Sequence, residues 1–401
     1  MKLFPKSLLI ISLYTLVKMQ IISNAWYHVF LCSITFLLIT IASIYIVFPF
    51  IYRYNHKIRR FFMFVHRVPY VTEDLDDPAQ YGLMAAKNIS LTIDGGGIRG
   101  WHIFPASSSH KYDNENDGMS FNRDERPIII FFHGANTSRG FTPYVQMYQI
   151  FSETKIDSHV IAFNYRGFAD SQFDSKQYQS SVPTLESVLG DMRNILAWTA
   201  SKVRDSHRII VWCHSLSNLL ICQALFQTNI DPRLLFLQSA PNKMRDAFHE
   251  HPLPRLYQFL PRSIYRIITQ DLHVNDDFDL ADPSGFIGKI KCQMIFLHAE
   301  DDSMVPLRLG LKYYARALQE NHPGKPTPRM VIFSRAEKIG HSSFYKFHQL
   351  PKLLHKWICE PQLIDSDPIF LPLNNACRIR YVTKVSLLEH ESVESWTDDI
   401  P

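Results

Sequence analysis

An α/β fold is predicted: a mostly parallel sheet with helices on both faces and a helical cap, preceded by one apolar helix able to cross a bilayer. Three observations predict it. Short runs dominated by apolar residues recur at 128–132, 158–163, 209–212, 233–237, 291–298 and 329–333, as in strands buried on both faces. Stretches with apolar residues at helical spacing separate several of these runs, and strands that alternate with helices form parallel sheets. Residues 29–48 are 20 positions without a charge, enough to span membrane hydrocarbon.

The chain has 401 residues, 46% hydrophobic and 20% charged, long enough for a large core. A net charge of +4 is too small to argue for a nucleic-acid partner. The six cysteines (Cys32, Cys213, Cys222, Cys292, Cys359 and Cys377) show no paired metal spacing and read as free thiols. No metal or organic cofactor is implied.

Residues 1–28 form an N-terminal segment. Its apolar run at 7–17 is too short to span and is followed by Lys18. Ser23-Asn24-Ala25 has small residues where signal cleavage would need them, the alternative to a single anchor. Trp26 and Tyr27 before the 29–48 span, and Tyr52 and Tyr54 after it, sit where interfacial aromatics belong. Lys2, Lys6 and Lys18 on one side oppose Arg53, Lys57, Arg59, Arg60 and Arg67 on the other, and the positive-inside rule leans toward a cytosolic C-terminal domain. Against that, the Asn88-Ile89-Ser90 sequon would matter only in a lumen. Residues 49–87 read as a juxtamembrane linker. Within it Arg59 and Arg60 mix with Phe61, Phe62 and Phe64, as in a segment resting on headgroups or in a plain basic flank.

The catalytic domain is expected over 88–360. Residues 89–93 and 99–104 alternate around Gly95-Gly96-Gly97, an antiparallel hairpin. After a polar loop, the strand at 128–132 runs into His133-Gly134-Ala135-Asn136. Glycine lets the backbone approach a substrate there, and the Ala135 N–H is one candidate oxyanion donor. His133 reads as a structural ring anchoring this loop. Asn136-Thr137-Ser138 is formally a sequon, discounted because a glycan would block the site. Residues 145–152 are helical. The strand at 158–163 ends in a turn that Arg166 and Asp170 are expected to pin rather than to act from. Pro183 opens a helix whose Leu185, Val188, Leu189, Met192, Ile195 and Leu196 share one face.

The next junction carries the chemistry. The strand at 209–212 meets a helix through Cys213-His214-Ser215-Leu216-Ser217, a small-x-Ser-x-small pattern. A sharp strand-to-helix turn strains the central residue and needs small neighbours two positions either side. It would leave the Ser215 hydroxyl clear at a helix N-terminus, with the Leu216 N–H as second oxyanion donor. The bland reading is a buried serine at an ordinary junction. Residues 240–288, with five prolines among aromatics, read as a helical cap that could admit an acyl chain, or as a surface excursion with its own small core. The strand at 291–298 leads to Glu300-Asp301-Asp302, of which Asp302 is the chosen triad acid. The strand at 329–333 leads to Gly340-His341, and His341 is the candidate base. Ser215, Asp302 and His341 follow one another in the α/β-hydrolase order. Residues 361–401 form an acidic, flexible tail in which 378–385 alternates and could add a strand.

At these residues the chain resembles the α/β-hydrolase-domain-containing protein 12 family, membrane-anchored lysophosphatidylserine lipases. His133-Gly134, Asn164-Tyr165-Arg166-Gly167, His214-Ser215-Leu216 and His298-Ala299-Glu300-Asp301-Asp302 with Val305-Pro306 carry the resemblance. It implies Ser215 as nucleophile, Asp302 as acid and His341 as base. It further implies a single-pass protein of the endoplasmic reticulum whose catalytic domain faces the lumen, opposite to the charge count. Three positions depart from the family pattern. Cys213 and Ser217 replace glycines, Ala135-Asn136 reverses an Asn-Ala pair, and Ala169 replaces the second glycine of Arg-Gly-x-Gly. The expected activity is hydrolysis of lysophospholipid or monoacylglycerol esters drawn from a membrane. The alternatives are a protein depalmitoylase or acyl-thioesterase, and a degenerate non-catalytic scaffold.

Overall fold

Ten strands pair into one sheet in this computed structural model, which describes residues 6–55, 58, 74–107, 125–153, 155–174, 183–250, 257, 259–261, 282–361, 364 and 379–382. The strands are β1 (Ala86–Ile93), β2 (Gly96–Ile103), β3 (Ile128–Phe132), β4 (His159–Phe163), β5 (Gln172–Phe173), β6 (Ile209–His214), β7 (Leu234–Gln238), β8 (Gln293–Ala299), β9 (Arg329–Phe333) and β10 (Ile379–Val382). Their spatial order is β1-β2-β4-β3-β6-β7-β8-β9-β10, with β5 beside β2. The stretch from β4 to β9 is parallel, and β1, β2, β5 and β10 join antiparallel.

Successive side chains of a strand point to opposite faces, and the core divides accordingly. Ile128, Ile130 and Phe132 face one hydrophobic cluster with Leu189, Met192 and Leu220. Ile129 and Phe131 face a second cluster with Tyr144, Tyr148, Leu354 and Trp357. Helices therefore cover both faces. Each such side chain, once buried, stabilises the fold by roughly 1.5–3 kcal/mol.

The hairpin forms at 86–103 and turns at Asp94-Gly95, where Gly95 has a φ of +84°, but the other two glycines of the triplet lie past the turn. Gly96 and Gly97 are strand residues against which β5 pairs. A Cβ at Gly96 would lie 2.3 Å from the Gln172 carbonyl oxygen, so only glycine lets β5 in.

The N-terminal helix α1 (Lys6–Ala42) runs through a π-helical segment, Ser43–Val47, into α2 (Phe48–Tyr54). Within it Trp26–Tyr52, 27 residues containing an 18-residue window of mean hydropathy 2.4, is long and apolar enough to cross a membrane. The helix passes unbroken through Ser23-Asn24-Ala25. It touches the catalytic domain at the π-helical segment and at α2. Tyr257 Oη donates to the Ile44 carbonyl (3.1 Å), and Tyr52 stacks on Phe248 with ring centroids 6.2 Å apart.

The remaining helices are α3 (Thr142–Ser152), α4 (Leu185–Ser201), α5 (Ser217–Thr228), α6 (Met244–Glu250), α7 (Leu307–Gln319) and α8 (Leu350–Cys359). α4 starts at a capping box in which Thr184 and Ser187 exchange hydrogen bonds. Most of the expected cap, 251–256, 258 and 262–281, lies outside the described residues, as do 59–73 with Arg59 to Phe64. In the expected tail β10 ladders onto β9, and 365–378 and 383–401 lie outside the described residues.

Candidate active site

β6 turns into α5 at Ser215, whose φ of +54° is a left-handed conformation that costs a non-glycine residue about 1–3 kcal/mol. Neighbours hold it there. The Ser215 N–H donates to the Gln238 carbonyl (3.0 Å), and Asn218 Nδ2 donates to the carbonyls of Ser215 (2.9 Å) and Gln238 (2.8 Å). Trp212 Nε1–H donates to Gln238 Oε1 (2.8 Å) from the strand behind.

The loop after β3 lies against the serine. A Cβ at Gly134 would be 3.0 Å from Ser215 Cβ, which is why glycine stands there. The next backbone N–H, that of Ala135, and that of Leu216 have no acceptor among the described residues. His133 anchors this loop. Its Nδ1–H donates to the Gly134 carbonyl (2.8 Å), and its Nε2 accepts from the Tyr165 N–H (3.3 Å). Burial lowers the His133 pKa to about 4, so the ring is neutral at neutral pH.

The three carboxylates after β8 separate by role. Asp302 Oδ1 accepts from the N–H groups of Met304 (3.0 Å) and Val305 (2.9 Å), and Oδ2 accepts from His341 Nδ1–H (2.8 Å). Burial alone would raise the Asp302 pKa. The charge and hydrogen bond of His341, with His298 and the Val305 N–H, outweigh it and bring it to about 2. Asp301 instead accepts from the Gly340 N–H (3.0 Å) and so holds the loop just before His341. Glu300 accepts from the Arg335 N–H (3.1 Å).

His341 lies against the elbow. Its carbonyl accepts from His214 Nε2–H (2.9 Å) and Ser239 Oγ–H (2.9 Å), and its ring is 4.7 Å from that of His214. Among the described residues no hydrogen bond joins Ser215 Oγ to His341. Such bonds are often long until substrate tightens them. Ser215, Ala135 and Leu216 thus share one spot, and Asp302 and His341 form a bonded pair beside it.

No family model matches the chain. Curated relatives do. The lysophosphatidylserine lipase ABHD12 of Danio rerio is 28% identical over 334 residues, covering 81% of this chain and 83% of that protein. Its counterpart from Gallus gallus is 26% identical over 335 residues, covering 81% and 84%. The chain is similar to the ABHD12 lysophosphatidylserine lipases over about four fifths of its length. Among solved structures, the Pyrococcus furiosus esterase Pf2001 superposes with a TM-score of 0.50 at 15% identity, covering 73% of this chain and 98% of that one. That likeness concerns the fold alone, the α/β-hydrolase fold.

The departures from the ABHD12 pattern have local explanations. Ser217, fully buried, accepts from the His214 N–H (2.9 Å), and its hydroxyl reaches the Phe132 carbonyl (3.0 Å). It stitches β3 to β6 where glycine could not. Cys213 is buried in the core beneath the turn. Asn136 and Ala169 both have positive φ, +56° and +47°. Asparagine adopts that region readily; alanine tolerates it at a cost. Arg166 and Asp170 do not pair with each other. Arg166 binds Asp191 (2.7 Å), and Asp170 takes both prongs of buried Arg139 (2.5 and 2.7 Å).

Sequence reasoning missed His298, Ser239 and Asn218. His298 Nε2–H donates to the Val305 carbonyl (2.8 Å) and stands 3.7 Å from Asp302 Oδ2. Its position at the end of β8, four residues before Asp302, was the available signal.

Proposed function

We propose that this chain is a membrane-anchored serine hydrolase that cleaves the acyl ester of single-chain lipids, either lysophospholipids of the lysophosphatidylserine type or monoacylglycerols. Relatives named lysophosphatidylserine lipases support the substrate class. The observation that carries the chemistry is the 2.8 Å bond between His341 Nδ1 and Asp302 Oδ2, beside a serine held in a strained elbow.

In the proposed reaction His341 Nε2 takes the Ser215 proton as Oγ attacks the ester carbonyl. Asp302 fixes the tautomer and stabilises the imidazolium. The N–H groups of Ala135 and Leu216 hold the oxyanion. Collapse breaks the acyl–oxygen bond, and His341 returns the proton to the departing glycerol oxygen. Water then attacks the acyl-serine, its proton passing to His341; the bond from the acyl carbon to Oγ breaks, His341 returns the proton to Ser215 Oγ, and the fatty acid leaves. The apolar N-terminal helix would keep this site near its lipid. Following the family, the domain is assigned to the lumen of the endoplasmic reticulum. A mobility shift on glycosidase treatment, absent in Asn88→Gln, tests that assignment.

Wild type should be labelled by a fluorophosphonate probe and Ser215→Ala should not, with hydrolysis of lysophosphatidylserine in vesicles falling about 10⁴–10⁶-fold. Wild type that takes no probe would dispose of the reading. Wild type that deacylates palmitoylated protein but not lysophospholipid would move the activity to thioesters.

A further inference from the structure

We propose that His214 is a positioning residue: through a one-way chain of hydrogen bonds it ties the loop presenting Ala135 to the loop presenting His341. The proposal rests on the serine-hydrolase reading above.

Three bonds make the chain. The Gly134 N–H donates to Tyr144 Oη (3.2 Å), Tyr144 Oη–H donates to His214 Nδ1 (2.6 Å), and His214 Nε2–H donates to the His341 carbonyl (2.9 Å). The far end fixes the direction. A carbonyl only accepts, so Nε2 carries the proton. In a neutral ring Nδ1 is then bare, and the tyrosine must donate to it. With its proton committed, Tyr144 Oη is left as acceptor for the Gly134 N–H. Burial, with His341 nearby, lowers the His214 pKa to about 3 and keeps the ring neutral. Thr137 Oγ1 donates to the Gly134 carbonyl (2.9 Å) and braces the same turn.

The consequence is geometric. Gly134 immediately precedes Ala135, and Ser215 immediately follows His214. The carbonyl at the end of the chain belongs to the residue whose ring bonds Asp302. One side chain therefore references the oxyanion loop, the nucleophile and the base to each other. A misplacement of about 1 Å among such groups costs on the order of 10²-fold in rate. Neutrality matters too. A charge on His214, 4.7 Å ring to ring from His341, would oppose the charge His341 takes up in the reaction.

The test uses the full-length protein in detergent. His214→Leu keeps bulk and removes both bonds. His214→Gln keeps an amide N–H for the His341 carbonyl. Tyr144→Phe removes one hydroxyl. The expected result is a loss of roughly 10- to 100-fold in kcat and in fluorophosphonate labelling rate for His214→Leu and Tyr144→Phe, with KM nearly unchanged. His214→Gln should recover most of it. Wild-type rates in Tyr144→Phe, a loss confined to KM, or a glutamine variant no better than leucine would overturn the proposal. If His214→Leu does not fold, Tyr144→Phe and His214→Gln decide. The downfield proton resonance of His341 Nδ1–H separates the two readings without turnover. Unlabelled wild type sinks only the hydrolase reading; a resonance unmoved by Tyr144→Phe sinks the positioning role.

Discussion

Asp302 divides its oxygens: Oδ1 is taken by two backbone N–H groups, so Oδ2 alone faces His341. An amide at this position could turn its NH₂ toward Nδ1 and select the wrong tautomer. Asp302→Asn is expected to keep the fold, by circular dichroism, while kcat falls about 10⁴-fold. The same carboxylate makes stability depend on pH. Its folded-state pKa of about 2 lies below the ordinary 3.8. The resulting stability, about 2 kcal/mol, is present above the unfolded value and is lost as pH falls through about 2. Urea midpoints of wild type and Asp302→Asn should therefore converge between pH 4 and pH 2. Ser215, Asp302 and His341 are legible in sequence because each follows an apolar run at the end of a strand. Ser239 and Asn218 are not. Their roles depend on which strands lie side by side, and that adjacency leaves no trace in spacing.

At the scale of elements, the hairpin shows how one residue type can mean two things. A glycine triplet between alternating runs reads as a turn, and Gly95 makes one, yet Gly96 and Gly97 are places where β5 pairs alongside β2. Both uses need a missing side chain, and only the neighbour distinguishes them. Gly96→Val drives a Cβ into the Gln172 carbonyl, 2.3 Å away, at a φ of +148°. It is expected to lose about 1–3 kcal/mol in urea unfolding. Labelling of Ser215 at low denaturant should persist, since β4 and β3 separate β2 from β6. Helix starts are similarly blurred. α3 begins at Thr142, three residues before its apolar periodicity shows, because Pro143 suits a first turn.

Across the whole molecule, the alternation of strands and helices is enough to predict a parallel sheet. The placement of β4 between β2 and β3 is not readable, because β3, β4 and β6 are all apolar on both faces and would accept several neighbours. The N-terminal helix adds a property its hydropathy does not disclose. Its far end is docked, with Phe48 and Tyr52 packed on Met244 and Phe248, and with Tyr257 bonded to Ile44. Deleting residues 1–73 to obtain a water-soluble enzyme would strip the cover from those aromatic side chains. The shortened protein is expected to run as aggregate on size exclusion without detergent, and as a monodisperse species with it. A preparation that is monodisperse in plain buffer would contradict this. Removing the greasy part of this chain leaves behind a greasy socket.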